Sequence, residues 1–412
     1  MDVIIDRVCG LDVHRDTIKA CVRVPGPQRE RQQTIATFGT KTADLLALRD
    51  WLEQWEVTHV AMESTGEYWK PIFWILEEHF QVLLVNAAHI KNVPGRKTDA
   101  KDGIWIAQLL ECGLLQASFV PPREIREIRD LTRYRKTLVQ QRSEEILRLH
   151  GVLQRAGIKL SSVASNIMGV SGRAMIDAMV EGSRDPQALA ELARGKLRGK
   201  IPLLQRALEG RFTSHHALMV SQMLGHIDFL EESIGDLSRE LETHLGRFRE
   251  SLELLKTIPG VQERTAQMIV GEIGIDMERF PTAGQLASWA GICPGNRRTA
   301  NTRKPEKIRK GGRWLKPALL EATWGAVKEN DSYLSAQYHR LVPHMGKKKA
   351  AIAVAHSMLI VVYYILKKRS PYHDLGPDFF VCRNQEAIQR RCIRQLKELG
   401  FDVSLQPSGK AA

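Results

Sequence analysis

"VIIDRVCGLDVHRDTIKACVRV", residues 3–24, places one aspartate between two apolar runs. Asp12 closes the first run, and the second begins at Ile18. Because β-branched residues bounded by glycine and charges are typical of strands, the stretch predicts strands over 3–12 and 18–24. Asp12 is then either an ordinary hairpin residue or a carboxylate that a buried strand presents for chemistry. The stretch by itself leaves both interpretations open.

Downstream of this stretch, segments with strand and helix periodicity alternate. We predict strands over 33–38, 58–63 and 81–86, and helices over 42–55, over 67–79 and from about Asp99. The order β-β-β-α-β-α-β-α predicts an antiparallel meander that parallel strands extend through helical crossovers. This α/β pattern is that of an RNase H-like (RuvC-like) domain, which we assign to residues 1–120.

The rest of the chain is predicted to be mainly helical. We divide it into a coiled-coil or helical spacer (121–250), a C-terminal domain (251–370) and a peripheral tail (371–412). An apolar residue recurs every seventh position in the spacer, at Val220, Ile227, Ile234, Leu241 and Phe248. This heptad predicts a coiled-coil seam, paired either with residues 124–155 or with a second protomer.

"LLKTIPGVQERTAQMIVGEIG", residues 254–274, has a Pro-Gly turn between two helical segments. It resembles a helix-hairpin-helix, which presents backbone N–H groups to a phosphate. Gln262 stands where that hairpin usually has its second glycine, so a plain helical turn is the alternative.

The 412 residues carry 60 Lys and Arg against 47 Asp and Glu, a net charge of +13. This excess favours a polyanionic partner, nucleic acid ahead of an anionic membrane; the alternative is a generally basic protein. The six cysteines form no C-x-x-C pair, and the N-terminus lacks the pattern of a signal peptide. The most apolar run, 351–366, is predicted to be a buried helix. We therefore expect a cytoplasmic protein with no membrane partner.

Four carboxylates of the first domain fall where this fold could place a metal site: Asp12, Glu63, Asp99 and Asp102. Asp12 and Glu63 close predicted strands, and the other two lie three residues apart at the start of a helix. Converging carboxylates suit Mg²⁺, with Mn²⁺ as an alternative, in phosphoryl transfer. Taken singly, each has a structural explanation as a turn residue or a helix N-terminal acid.

A dense basic segment occupies residues 296–316. It contains nine cations, Arg297, Arg298, Arg303, Lys304, Lys307, Arg309, Lys310, Arg313 and Lys316, and one acid, Glu306. A solvated charged face normally mixes both signs, so this segment predicts contacts with nucleic-acid phosphates. Thr299 and Thr302 are its only hydroxyl side chains.

Five motifs together resemble one protein family. They are "GLDVHRDT" (10–17), "AMESTGEYW" (61–69), "RKTDAKD" (96–102), "LASWAGICPGN" (286–296) and "RKGGRWLKPALLEA" (309–322). In order and spacing they are similar to the motifs of DEDD-type transposases of bacterial insertion sequences. These enzymes are the bridge-RNA-guided recombinases related to the Piv DNA invertase. The resemblance covers about residues 1–115 and 252–365.

The resemblance implies that Asp12, Glu63, Asp99 and Asp102 are the DEDD acidic set. It further implies a tetramer on a structured guide RNA that pairs with donor and target DNA. In the family a serine of the C-terminal domain becomes covalently linked to DNA. Here Thr299 stands at that position, and no serine occurs between Ser288 and Ser332.

We therefore expect a nucleoid-associated, RNA-guided DNA transposase or recombinase with Thr299 at the nucleophile position. Two alternatives remain. One is a structure-specific, metal-dependent DNA nuclease that uses water as its nucleophile. The other is a degenerate transposase that only binds nucleic acid, for which the threonine is the main argument.

Overall fold

The computed structural model describes residues 3–27, 30–64, 66–86, 102–293, 298–299, 302–303, 311–383 and 385–404. The chain forms two compact units, Met1–Val120 and Pro121–Ala412. The predicted divisions at 250 and 370 stay predictions. Six predicted site residues lie outside the described residues: Asp99, Arg297, Lys304, Lys307, Arg309 and Lys310.

The first unit is built on a five-stranded mixed sheet. Its strands are β1 (Val8–Val13), β2 (Thr17–Pro25), β3 (Arg31–Gly39), β4 (His59–Glu63) and β5 (Gln81–Val85). The spatial order is β3-β2-β1-β4-β5. The first three strands are antiparallel, and β4 and β5 extend the sheet in parallel from β1. This is the meander with parallel crossovers that the sequence predicts for an RNase H-like domain.

The first strand is shorter than predicted. Residues 3–7 lie outside β1, which begins at Val8. Ile4 and Ile5 instead donate their backbone N–H groups to the Glu111 carbonyl oxygen, at 2.9 and 3.1 Å. These two residues therefore form hydrogen bonds with the end of a helix and not with a neighbouring strand.

Helices cover both faces of the sheet. The helices α1 (Thr42–Gln54) and α2 (Trp69–Leu76) share a core with one face, and α3 (Asp102–Glu111) packs on the other. Cys9, Leu11 and Val13 of β1 belong to the α1–α2 core, whereas Val8 belongs to the α3 core. Since side chains alternate along a strand, Gly10 and Asp12 face α3.

The second unit begins with a long helix pair and a helical cap. Its helices are α4 (Arg123–Arg155), α5 (Val170–Val180), α6 (Pro186–Glu191), α7 (Ile201–Leu208) and α8 (Ser214–Leu245). Ion pairs between Arg247 and Glu124 and between Arg142 and Glu231 show that α8 runs antiparallel to α4. All five heptad residues are buried. The seam therefore pairs with residues 124–155 of the same chain, while a coiled coil in the strict sense stays a prediction.

The remaining helices form the C-terminal core. They are α9 (Arg249–Lys256), α10 (Glu263–Ile273), α11 (Ala283–Trp289), α12 (Leu315–Val327), α13 (Tyr333–Met345), α14 (Lys347–Lys368), α15 (Phe379–Arg383) and α16 (Gln385–Glu398). Among the described helices, α14 alone is long and apolar enough to cross a membrane. It packs against α9, α11, α12 and α13, and Val354, Met358 and Val362 are fully buried. The prediction that 351–366 is a buried helix is confirmed.

The Pro-Gly turn between α9 and α10 packs against α12. Gly260 has a positive φ of +78°, and a methyl group there would lie 2.1 Å from the Ala322 carbonyl oxygen. Glu263 occupies the first turn of α10 and pairs with Lys256 at 3.0 Å. The glycine thus permits close helix packing, and a carboxylate already stands at the helix N-terminus. Phosphate binding by this hairpin stays a prediction.

Candidate active site

Asp12 and Glu63 lie at the carboxyl ends of neighbouring parallel strands: Asp12 is the residue before the last one of β1, and Glu63 is the last residue of β4. Leu11 of β1 lies opposite Met62 of β4, so the same register places Asp12 beside Glu63. Val8 and Ala61 belong to the core that α3 forms with the sheet. Since residues two apart along a strand share a face, both carboxylates point to the α3 side.

Two glycines allow α3 to lie directly against β1. A methyl group at Gly10 would be 2.3 Å from the Gly103 carbonyl oxygen and 2.4 Å from the Ala107 nitrogen. A methyl group at Gly103 would be 3.7 Å from the Asp12 Cβ. Asp102, the first residue of α3, is therefore held next to the end of β1. The strand register thus places Asp12 beside Glu63, and Asp102 begins the helix that packs on the strand of Asp12.

His14 and Lys19 surround Asp12. The carboxylate of Asp12 is 18% exposed and lies 3.2 Å from the Nε2 of His14, which is more than half exposed. Lys19 is the antiparallel neighbour of Asp12 on β2. The Asp12 carboxylate thus keeps a solvent-accessible side and has two basic side chains nearby, which suits a group that handles phosphate.

The chemistry of these donors fits a hard divalent cation. Carboxylate oxygens are the ligands that Mg²⁺ and Mn²⁺ prefer, and at Gly10, two residues before Asp12, α3 lies directly on the backbone of β1. Over the residues that the structure describes, no group of three or more His, Cys, Asp or Glu side chains stands close enough to hold a metal. Asp99, the fourth member of the predicted set, lies outside that part of the chain.

The two cysteines of this sheet are poor nucleophiles. Burial raises the pKa of Cys9 well above its usual value. Burial likewise raises the pKa of Cys21 to about 11, against a smaller opposing effect of Arg23. Both thiols therefore stay protonated at neutral pH.

Thr299 lies in a two-stranded hairpin of the C-terminal core. Strand β6 (Arg298–Thr299) pairs with β7 (Thr302–Arg303), and Thr299 is opposite Thr302. Gly291 precedes this hairpin and Gly311 follows it. The two glycines lie so close together that a methyl group at Gly311 would be 2.3 Å from the Gly291 Cα. The backbone at Gly291, before the hairpin, is therefore in close contact with the backbone at Gly311, after it.

The C-terminal end of the basic segment is anchored by an aromatic ring and a buried ion pair. The guanidinium groups of Arg313 and Arg133 lie 5.5 and 5.9 Å from the ring centroid of Trp314. Arg133 also donates two hydrogen bonds, of 2.7 and 2.9 Å, to Glu272, which is fully buried. Burial lowers the pKa of the neighbouring Arg129 to about 10, although Glu272 opposes this shift. The position of Trp314 is thereby tied to α4 and α10.

Sequence reasoning missed the residues that position the site. Gly10, Gly103, Gly291 and Gly311 have no chemistry of their own, yet each allows a close backbone approach. A glycine within an apolar strand, as in "VCGLDV", indicates that some backbone approaches there but does not say which. The role of Arg133 and Glu272 is equally hidden, because the two residues are 139 positions apart.

Two family models match the chain. Residues 9–158 match the model of the DEDD transposases of IS110, which is described as a transposase. Residues 252–339 match a second model, described as "Transposase IS116/IS110/IS902 family". The residues between 158 and 252, which include the cap on the helix pair, are covered by neither match.

Curated relatives are proteins of insertion elements, of which one is described as a transposase and two as uncharacterized proteins. The chain is 22% identical over 373 residues to the transposase for insertion sequence element IS1111A of Coxiella burnetii, covering 89% of this chain and 91% of the relative. An IS110 protein of Streptomyces coelicolor is 25% identical over 69% of this chain and 74% of its own length. An IS900 protein of Mycobacterium paratuberculosis is 26% identical over 67% of this chain and 73% of its own length.

Proposed function

This chain belongs to the IS116/IS110/IS902 family of transposases, and from this premise we propose that it cleaves and rejoins DNA strands under the guidance of a structured RNA. One structural observation carries the catalytic part of the proposal. The register of β1 with β4 puts Asp12 beside Glu63, and the close contact of α3 with β1 supports Asp102 as their third member.

The acidic set has a binding role in this proposal. Asp12, Glu63 and Asp102, with Asp99 as the fourth member, would hold Mg²⁺ or Mn²⁺. When bound, such ions neutralise the charge that develops on the phosphate during transfer. The cations of the basic segment position the DNA backbone through its phosphates.

Thr299 is the proposed nucleophile. Its Oγ forms a bond to the phosphorus of one phosphodiester, and its proton passes to a base. The bond from phosphorus to one deoxyribose oxygen breaks, and that oxygen takes a proton. A hydroxyl group of a second strand then attacks the same phosphorus, which rejoins DNA and releases Thr299. The extra methyl group, compared with serine, crowds the in-line approach.

Covalent trapping tests this step. A labelled duplex carrying the joined ends of the element is incubated with the chain, guide RNA and Mg²⁺, and the reaction is stopped in SDS. We expect a DNA adduct with the native chain, faster adduct formation with Thr299→Ser, and none with Thr299→Ala. Asp12→Asn should slow the reaction by about 100-fold or more, because a metal ligand is lost.

Matched variants serve as controls. Thr302→Ala and Ser288→Ala each remove a nearby hydroxyl, and Asp16→Asn removes an exposed carboxylate from the turn after β1; all three should form the adduct. Clean hydrolysis without an adduct would contradict the proposal and support the nuclease. DNA binding with neither product would support the degenerate transposase.

The resemblance also supports a structured guide RNA and a tetramer as the active assembly. The RNA that copurifies with the chain can be sequenced directly. We expect one discrete, structured species, and random cellular RNA would contradict guidance. Light scattering of the RNA-bound protein would show whether four chains assemble.

A further inference from the structure

The helical cap on the long helix pair, residues 156–213, carries an unpaired basic patch. Its sequence "RGKLRGK", residues 194–200, repeats Arg-Gly-Lys with one leucine between the copies. We call Arg194, Lys196, Arg198 and Lys200 the cap patch; all four are exposed. We propose that the cap patch binds the phosphate backbone of duplex DNA, as a contact separate from the basic segment at 296–316.

The segment is held so that its charges face outward. Ala193 is buried in the cap core, and Leu197 and Ile201 pack against that core. The backbone N–H of Arg194 donates to the Oγ of buried Ser171 at 2.9 Å. Because the apolar residues fix one side, the charged side chains project from the other.

The patch also leaves its backbone open. Gly195 adopts a positive φ of +55°, and a methyl group at Gly195 or Gly199 would meet nothing within 4 Å. Open glycines between cations allow a phosphate backbone to approach closely. A packing role, such as that of Gly10, would show neighbouring atoms at these positions.

The four cations of the cap patch lack ion pairs among the described residues. Within the described part of the chain, none of its four cations contacts a carboxylate; Lys200 donates only to the Val163 carbonyl oxygen, at 3.4 Å. In contrast, Arg142, Arg173 and Arg247 are paired with Glu231, Asp228 and Glu124. Four neighbouring cations without counter-charges repel one another, and a polyanion relieves this repulsion.

The composition of the cap favours duplex DNA over single-stranded or looped RNA. No Phe, Tyr or Trp occurs between Tyr134 and Phe212. Single strands and RNA loops are usually bound by stacking their bases on aromatic rings, whereas a duplex backbone is bound by cations alone. The patch supplies cations without such rings.

The position of the cap makes this contact distinct from the basic segment. Arg133 contacts the ring of Trp314, whereas Leu153, twenty residues further along α4, lies in the cap core. At 1.5 Å per residue, these two points on α4 are about 30 Å apart. A duplex that touches both regions is therefore held at two separate places.

The test measures binding of full-length protein to a fluorescein-labelled duplex of about 40 base pairs, between about 50 and 200 mM KCl. The patch variant is R194Q/K196Q/R198Q/K200Q. We expect its affinity to fall by about 10-fold or more, and the slope of log affinity against log salt to become shallower by about 3. The control R142Q/R148Q/R239Q/R247Q removes the same charge from the helix pair, where each arginine is ion-paired.

Three results would overturn the inference. The first is an equal loss of DNA affinity in the patch variant and in the control, which would show that only the net charge of the protein matters. In the other two results, the patch variant keeps its affinity for duplex DNA and loses affinity only for a structured RNA, or only for vesicles of phosphatidylserine and phosphatidylcholine. Thermal melting of both variants checks that the cap remains folded.

This inference rests on the proposed function only in its choice of DNA. The binding assay needs no catalysis, so the two can fail separately. A chain that forms no covalent adduct, but whose patch variant loses DNA affinity, would contradict the proposed function and leave the cap patch standing.

Discussion

At the scale of single residues, the glycine at position 10 controls the geometry of the acidic set. The carbonyl oxygen of Gly103 and the backbone nitrogen of Ala107 occupy the space that a side chain at position 10 would need. Any larger residue must push α3 away from β1. Because Asp102 begins α3 and Asp12 lies near the end of β1, the same movement shifts Asp102 relative to Asp12.

The change Gly10→Ala tests this requirement. Overpacking at a backbone contact of 2.3 Å should lower the free energy of unfolding by about 2 to 4 kcal/mol and reduce strand cleavage further than this loss explains. Gly225→Ala on α8 is the control, since a methyl group there meets nothing within 4 Å, and it should stabilise by about 0.5 to 1 kcal/mol. Urea unfolding measures both. A Gly10→Ala chain as stable as the native one would contradict the packing argument.

The residues with chemistry could be predicted, but those that position them could not. Asp12 and Glu63 each close an apolar run, so strand periodicity alone places them at strand ends. The contact between Gly10 and Gly103 joins positions 93 apart, and neither glycine indicates its partner. Ile4 and Ile5 show a different error: their apolar pattern predicts a strand, whereas their backbone N–H groups donate to the end of α3 and the Ile4 side chain is exposed.

At the scale of elements, the junction of α4 with α10 depends on one buried ion pair. Glu272 is fully buried and receives two hydrogen bonds from Arg133, while Arg129 donates to the carbonyl oxygens of Gly271 and Glu272. Removing one member of a buried pair leaves the other charge without compensation. Such losses destabilise far more than exposed pairs do.

Glu272→Gln should therefore lower the free energy of unfolding by about 3 kcal/mol. Glu321→Gln breaks an exposed pair with Lys136 and should cost less than about 1 kcal/mol. Guanidinium unfolding, followed by helical circular dichroism, compares them. The double change R133M/E272L should recover only part of the loss, because Arg129, which lies 4.0 Å from Glu272, stays buried without that carboxylate. A Glu272→Gln chain that unfolds like the Glu321→Gln chain would show that the pair is dispensable.

The heptad of α8 shows how far an element can be predicted. Its spacing gives the buried face correctly, since Val220, Ile227 and Leu241 are fully buried. The spacing does not show whether the heptad packs on residues 124–155 or on a second chain, because either partner would bury the same apolar residues. The choice of α4 follows from ion pairs such as Arg142–Glu231, which the apolar pattern does not contain.

At the scale of the whole molecule, charge and chemistry are divided between the two units. Residues 1–120 contain 13 Lys and Arg against 16 Asp and Glu, a net charge of −3. The remaining residues contain 47 against 31, a net charge of +16. The acidic set thus belongs to a unit with little attraction for DNA, whereas both proposed DNA contacts belong to the basic unit. The overall charge of +13 indicates a polyanionic partner but conceals this division.

This division predicts the behaviour of residues 121–412 produced alone. The described hydrophobic clusters each draw their buried residues from one unit, so the fragment keeps the cap core and the helix-pair cluster intact. We expect it to melt cooperatively and to bind duplex DNA within about 3-fold of the full chain, with a similar salt slope, because it retains the cationic surface. It should form no covalent adduct, since the acidic set is absent. Fluorescence anisotropy and SDS trapping measure the two properties. A fragment that folds but loses more than about 10-fold in affinity would show that the acidic unit contributes directly to DNA binding.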